Sequence, residues 1–493
     1  MNYDFLVVGS GPGGSIFAAE AAARGASVLI VEEGPWAEPG SVEPYSRAQM
    51  RRLYRNQGLT AAIGRPPIAY TEARCVGGGS EVNAGLYHAP GEALLARWGR
   101  DYGLLGLERE RLAPHLAAIE QRLAIAVDEV GSEPLAQGAE ALGWEGRHVP
   151  RWVHDDGQGR EQRRSMSTSY LADAVAAGAE VRPETRVDRL LVDRSVGSRG
   201  RLGLRGGRVR GGRVRGVLSG PTTIRADHVV LAAGAIGTPA LIQRSGLRIP
   251  HAGSGLSVHP TVKAVGVFDP PPSDDGRLTH GPTISAYQVK QWGDRLSLGS
   301  SASRPGLIAM ALADNDPLLA RRAMAESSRM RVYYAAIRSH GRGWVRAVPG
   351  AADPLVGYHL TDADLGALTS GLGRLALALL AGGAREVICS LPGTPVIRTP
   401  REIPAALAAV TRRAPLMTVH LTGTMASGED VGRCATDSWG RVREVDGLSV
   451  SDASLLPDAP GINPQGTLMA LARRNAEVLL DDDSTADVAS EVR

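Results

Sequence analysis

Residues 4–35 read DFLVVGSGPGGSIFAAEAAARGASVLIVEEGP. The run Phe5–Val8 is apolar without alternation, which predicts a strand buried on both faces. It leads into Gly9, Gly11 and Gly14, spaced G-x-G-x-x-G. An alanine-rich helix follows and stops near Gly25, and a β-branched strand, Val28–Val31, ends at Glu32. In this strand–turn–helix context the glycines are a dinucleotide-binding fingerprint. Gly9 suits the tight turn, Gly11 lets backbone approach a pyrophosphate on the helix N-terminus, and Gly14 lets helix and strand pack closely. Glu32 stands where a carboxylate accepts hydrogen bonds from a ribose, with Glu33 as the other choice. An acidic residue there repels a 2′-phosphate and argues against NADP. NAD and FAD share the fingerprint, and this stretch does not separate them.

The rest of the composition sets bounds. The chain has 493 residues, 43% hydrophobic and 22% charged, which suits roughly two to four domains, or two interleaved ones. A net charge of +3 provides no strong field to draw nucleic acid or an anionic membrane. Nearly all basic residues are arginine. The only lysines are Lys263 and Lys290, a bias that reads as codon usage. Cys75, Cys389 and Cys434 are widely separated, so neither a disulfide framework nor a CxxC site is expected, and a cytoplasmic location is. A strand beginning near residue 4 leaves no room for a signal peptide. No stretch of about 18 apolar residues is evident, so no membrane span is expected. No His/Cys/Asp cluster has metal-ligand spacing.

Four further stretches carry motifs: TEARCVGGGSEVNAGLYHAP (71–90), ADHVVLAAGAIGTPALIQRSG (226–246), VHLTGTMASG (419–428) and GRVREVDGLSVSDASLLPDAPGINPQGTLMALARRNAEVL (440–479). GLSVHP (255–260) lies between the second and third. With these motifs in this order the chain resembles the glucose–methanol–choline (GMC) oxidoreductases, FAD enzymes that oxidise alcohols. The resemblance covers residues 5–34, 74–88, 228–260 and 418–479. It implies an α/β fold with a Rossmann-like FAD-binding domain (1–90, 165–268 and 421–493). A discontinuous α+β substrate domain, built on an antiparallel sheet, would take 91–164 and 269–420.

It also implies roles by position. Gly9, Gly11, Gly14 and Glu32 would hold the ADP half of FAD. Gly77, Gly78, Ser80 and Asn83 would line the flavin ring, and Val187 would touch adenine. Ala233 and Gly234 would end the strand beneath the cofactor. Asp452 would sit near the ribityl and pyrophosphate, and Pro464, Gln465 and Thr467 at the pyrimidine edge. Val82 stands where some relatives carry a histidine bonded to flavin, so the FAD is expected to be non-covalent. Cys75 nearby reads as a small buried hydrophobe.

Flavin-dependent alcohol oxidation moves a hydride from the carbinol carbon, and the hydroxyl must lose its proton to a base within hydrogen-bond reach. His420 matches the family's catalytic histidine and Asn463 its partner, as in cholesterol and choline oxidases. His420 would take the proton while Asn463 orients the oxygen. His259 is expected to position a loop, and His88 could face the cavity, against the favoured reading of a structural histidine.

The implied partners are a small-molecule alcohol and an electron acceptor, oxygen or another. A polar hydroxylated metabolite, such as a sugar or aminocyclitol unit, is the expected substrate; Glu81 could meet a cationic one, against the favoured reading of a helix-facing or solvated carboxylate. The other readings are a sterol or aliphatic alcohol, or a non-redox lyase on the same fold. The Arg/Gly-rich stretch 194–216 has no aromatic residue for base stacking. It reads as a loop between two strands, against the reading of a nucleic-acid arm. Helices are expected at 106–124, 361–381 and 464–480. Strands are expected at 281–289, 297–303, 307–312 and 330–337, and a frayed tail beyond 480.

Overall fold

The strand expected from the opening motif runs Asn2–Val8 and lies between two parallel neighbours, Val28–Val31 and Thr222–Leu231. The computed structural model describes residues 2–127, 133–155, 161–193, 212–272, 284–407 and 412–491. Glu180–Arg182 and Leu448–Val450 add further parallel pairings, and Arg213–Ser219 and Arg189–Asp193 extend the sheet antiparallel to seven strands. Successive side chains of the first strand enter different layers. Phe5 and Val7 pack with the helices Pro12–Ala23 and Gln465–Glu491, and Leu6 and Val8 with Leu241 and Ile242 of the helix Gly234–Arg244. A strand covered on both faces has no polar alternation to show. Full burial of each such side chain contributes about 1.5–3 kcal/mol.

A second sheet has nine strands. Its core strands are Thr261–Phe268, Met330–Ile337, Leu296–Ser300 and Tyr287–Val289, all paired antiparallel. Ile68–Tyr70 and Leu416–Thr418 add a parallel pair at one side. Alternation sorts the central strands. Val262, Ala264, Tyr333, Ala335 and Ile337 pack with leucines of the helix Asp362–Ala381. Thr261, Lys263, Tyr334 and Ala336 line a cavity on the opposite face.

A smaller four-stranded sheet contains Ser254–Val258 paired antiparallel with Leu421–Thr422. Its register, Ser257 opposite Thr422 and Val258 opposite Leu421, carries on to place His259 opposite His420.

Three expectations are corrected. Residues 307–312 belong to the helix Pro305–Ala313. The run is rich in alanine and leucine, with proline in the first turn, and helix propensity outweighs a superficial likeness to a strand. The C-terminal helix continues to Glu491, since the tail has no glycine or proline to stop it. The helix Asp362–Ala381 is long and apolar enough, by length and composition, to cross a bilayer, contrary to the reading of the sequence. Its Leu368, Leu372, Leu375 and Leu379 are buried against the nine-stranded sheet. The Arg/Gly-rich residues 194–211 lie outside the described residues. The strands before and after them, Arg189–Asp193 and Arg213–Ser219, pair antiparallel.

Candidate active site

Between the seven-stranded and nine-stranded sheets lies a cavity of about 590 Å³. One end is the glycine turn. Gly9 adopts φ +104°, and a Cβ there would meet the Ala232 carbonyl oxygen at 2.3 Å. A Cβ on Gly14 would meet Gly9 O at 2.2 Å, so helix and strand do pack through it. Gly11 is the N-cap of Pro12–Ala23 and no side chain caps that helix. A Cβ on Gly11 would meet nothing within 4 Å. The uncapped N–H groups of the first turn therefore open onto the cavity, as an anion requires.

Glu32 is buried at the end of Val28–Val31. Oε2 accepts from Ser10 N at 3.1 Å and Ser10 Oγ at 2.8 Å, and Oε1 accepts from Gly34 N at 2.9 Å. Burial raises its pKa while these bonds oppose the rise. Glu33 is committed elsewhere, in an ion pair with Arg55 at 2.7 Å. Asp452 closes the floor: its carboxylate accepts from Gly234 N at 3.0 Å, from Thr238 Oγ1 and from Ser454 N at 2.8 Å.

Gly9, Gly11, Glu32, Gly78, Asn83, Val187, Ala233, Gly234, His420, Asp452, Asn463, Pro464 and Gln465 all line this one cavity. Gly14, Gly77, Ser80 and Thr467 do not. Gly77 and Ser80 hold the loop from behind: Gly77 N donates to Ser10 Oγ at 3.0 Å, and Ser80 Oγ donates to Gly77 O at 2.8 Å. Asn83 Nδ2 donates to Gln465 Oε1 at 2.7 Å, tying this loop to the last helix. Cys75 and Val82 line the wall, and burial pushes the Cys75 thiol well up, away from the thiolate. Glu81 accepts from Ser165 Oγ at 2.8 Å and Ser167 N at 3.2 Å and stands outside the lining. Those donors hold it in a structural role, away from the cavity.

At the other end His420 and His259 meet edge to face, Nδ1 to Nδ1, at 2.9 Å. Gly461 N donates to His259 Nε2 at 2.8 Å, so that nitrogen carries no proton. Neutral His259 must then carry its proton on Nδ1 and donate it to His420 Nδ1. Neutral His420 is left with its proton on Nε2, which lies 3.4 Å from Asn463 Nδ2, a second donor, so the two face each other with no acceptor between them. Burial, with Lys290 adding to it, pushes the His420 imidazole down to about 4. Burial and the neighbouring His420 push His259 well below its ordinary value. Both rings are therefore neutral at ordinary pH. The direct His259–His420 contact escaped the sequence reading. GLSVHP and VHLT each place a histidine beside a strand, but only the pairing register brings them together. His88 is buried nearby without lining the cavity; burial, then Lys290, pushes it to about 3.

Residues 50–261 and 340–472 match the two family models of GMC oxidoreductase, N-terminal and C-terminal. An uncharacterized GMC-type oxidoreductase of Sinorhizobium fredii is 34% identical, over 99% of this chain and 97% of its own length. A long-chain-alcohol oxidase of Arabidopsis thaliana is 25% identical over 95% of this chain and 66% of its own. Among solved structures, pyridoxine 4-oxidase from Mesorbium loti aligns with a TM-score of 0.71 at 19% identity, covering 97% of this chain and 99% of that one.

Proposed function

The chain belongs to the GMC oxidoreductase family, FAD-dependent enzymes acting on alcohols, and on that premise we propose that His420 and Asn463 are its catalytic pair. The reaction is oxidation of a CH–OH group to an aldehyde or ketone, with FAD held non-covalently. The observation that carries this reading is the pair itself: a neutral, half-buried imidazole and an amide facing one another across the cavity wall.

The residues present fit FAD. The uncapped turn at Gly11 suits the pyrophosphate, Glu32 the ribose and Val187 the adenine, and Gly78, Asn83 and the Pro464–Gln465 turn suit the ring. Bound FAD would supply the hydride acceptor for the carbinol carbon. Every other step falls to the protein. Asn463 orients the substrate oxygen against His420 Nε2. In the arrangement described, Nε2 already holds a proton. For it to accept the hydroxyl proton, His259 must move its own proton to Nε2 and so lose the Gly461 N–H. His420 can then donate from Nδ1 to His259 Nδ1, leaving Nε2 free.

A panel of alcohols mixed anaerobically with the holoenzyme tests the reaction. At least one should bleach the flavin, and a flavin that no alcohol reduces sinks this reading. The mode of attachment has its own test. Acid denaturation should release all of the flavin into the supernatant, because Val82 has no nucleophile and the Cys75 thiol is held protonated. Flavin that pellets with the chain would overturn this and point to Cys75.

A further inference from the structure

Resting on the oxidation reading above, we infer that Gln288 is a positioning residue for the reaction: it fixes which end of the Asn463 amide faces His420. Gln288 stands in the middle of the strand Tyr287–Val289, within the nine-stranded sheet. It is 2% exposed and lines the cavity. Its Nε2 donates to Tyr334 Oη at 2.9 Å and to Asn463 Oδ1 at 3.3 Å. Asn463 belongs to the turn ahead of the helix Gln465–Glu491. One side chain thus ties the nine-stranded sheet to the loop that carries half of the catalytic pair.

The polarity of this contact decides what Asn463 can do. With Oδ1 taken by Gln288, Asn463 turns Nδ2 toward His420 Nε2. Two donors are bridged only by an atom with free lone pairs, such as the oxygen of an alcohol or of its carbonyl product. The opposite orientation of the amide would close the site on itself. Asn463 Oδ1 would accept from His420 Nε2–H, satisfying both side chains without substrate. It would also hold the proton on the nitrogen that must lose it. Gln288 opposes that turn, because it would set Asn463 Nδ2 against Gln288 Nε2, donor against donor, in a buried place. The shorter bond to Tyr334 anchors the Gln288 amide on the sheet.

The orientation also reaches the titration of His420. A donor aimed at Nε2 opposes the imidazolium, whereas an acceptor there favours it. Burial and Lys290 hold His420 at about 4, and a turned amide would lift that value. The titratable groups around His420 are three. His259 meets it directly, Lys290 acts on it from just past the strand that carries Gln288, and His420 in turn acts on buried His88. Among the described residues the Asn463 side chain bonds only Gln288 and His420. Any effect of Gln288 that passes through Asn463 must therefore disappear when the amide is removed.

Gln288→Met keeps the length of the side chain and removes the donor. Four FAD-loaded proteins are compared: wild type, Gln288→Met, Asn463→Ala and the double variant. Stopped-flow spectra follow anaerobic flavin reduction by whichever alcohol of the panel reduces the wild type fastest. Imidazole NMR of histidine-labelled protein follows His420, assigned by its absence in His420→Ala. Gln288→Met should slow reduction by about tenfold, and its His420 should titrate about one pH unit higher. In the Asn463→Ala background the same exchange should change the rate by less than about twofold and leave the titration in place. Equal losses in both backgrounds would make Gln288 a support of the fold and overturn the proposal. A His420 titration that stays put or moves down overturns it too, since Gln288 would then be a bystander or an acceptor. A coupled shift in titration, with no alcohol able to bleach the flavin, would sink the oxidation reading and leave the hold of Gln288 on Asn463 standing.

Discussion

His420→Ala should keep its fold and its FAD and lose flavin reduction by roughly 10²–10⁴-fold, the range of a missing general base. The side chain faces the cavity and makes two side-chain contacts, with His259 and Asn463, so its loss leaves the sheets intact. Asn463→Ala should lose less, since it removes an orienting amide and no proton acceptor. The pH dependence carries a second signature. An imidazolium cannot accept a proton, so the rate falls as pH drops through the His420 pKa. Burial has moved that value from its ordinary 6.5 to about 4, so the acid limb should fall near pH 4, and it should vanish in His420→Ala. Stopped-flow spectra of anaerobic reduction measure both. A variant that reduces as fast as the wild type would make His420 structural.

Glu32→Ala should weaken FAD binding by about 1.5–3 kcal/mol, roughly 10- to 150-fold in Kd. The carboxylate gathers Ser10 N, Ser10 Oγ and Gly34 N, and its removal leaves buried donors unpaired in addition to losing the ribose. Glu33→Ala should leave FAD affinity nearly unchanged, because Glu33 pairs with Arg55 and Arg74. Fluorescence titration of the apoprotein with FAD decides between them. Intact affinity in Glu32→Ala with loss in Glu33→Ala would exchange the two assignments.

The sequence was most legible where one backbone constraint admits one residue type. Gly9 and Gly14 are required by contacts to Ala232 and Gly9, and an uninterrupted apolar run marks a strand covered on both sides. It was silent where function depends on pairing between distant segments. Neither His259 nor His420 says which strand it will face, and a register shifted by one residue would turn one ring away. Residues 307–312 misled for a simpler reason. A short apolar stretch without clear period fits helix and strand alike, and tertiary packing chooses.

The strand Leu448–Val450 lies beside Thr222–Leu231, and Asp452 follows it onto the floor of the cavity beneath Gly234. The ribosome therefore exposes the glycine turn long before its floor. At about 5–20 residues per second, the first βαβ unit waits roughly 20 seconds to a minute and a half for Asp452 to be synthesised. During that interval the cofactor has a docking turn but no closed chamber. Loading with FAD becomes a post-synthetic event, and flavin scarcity in the cell would accumulate finished, empty chains rather than stalled ones.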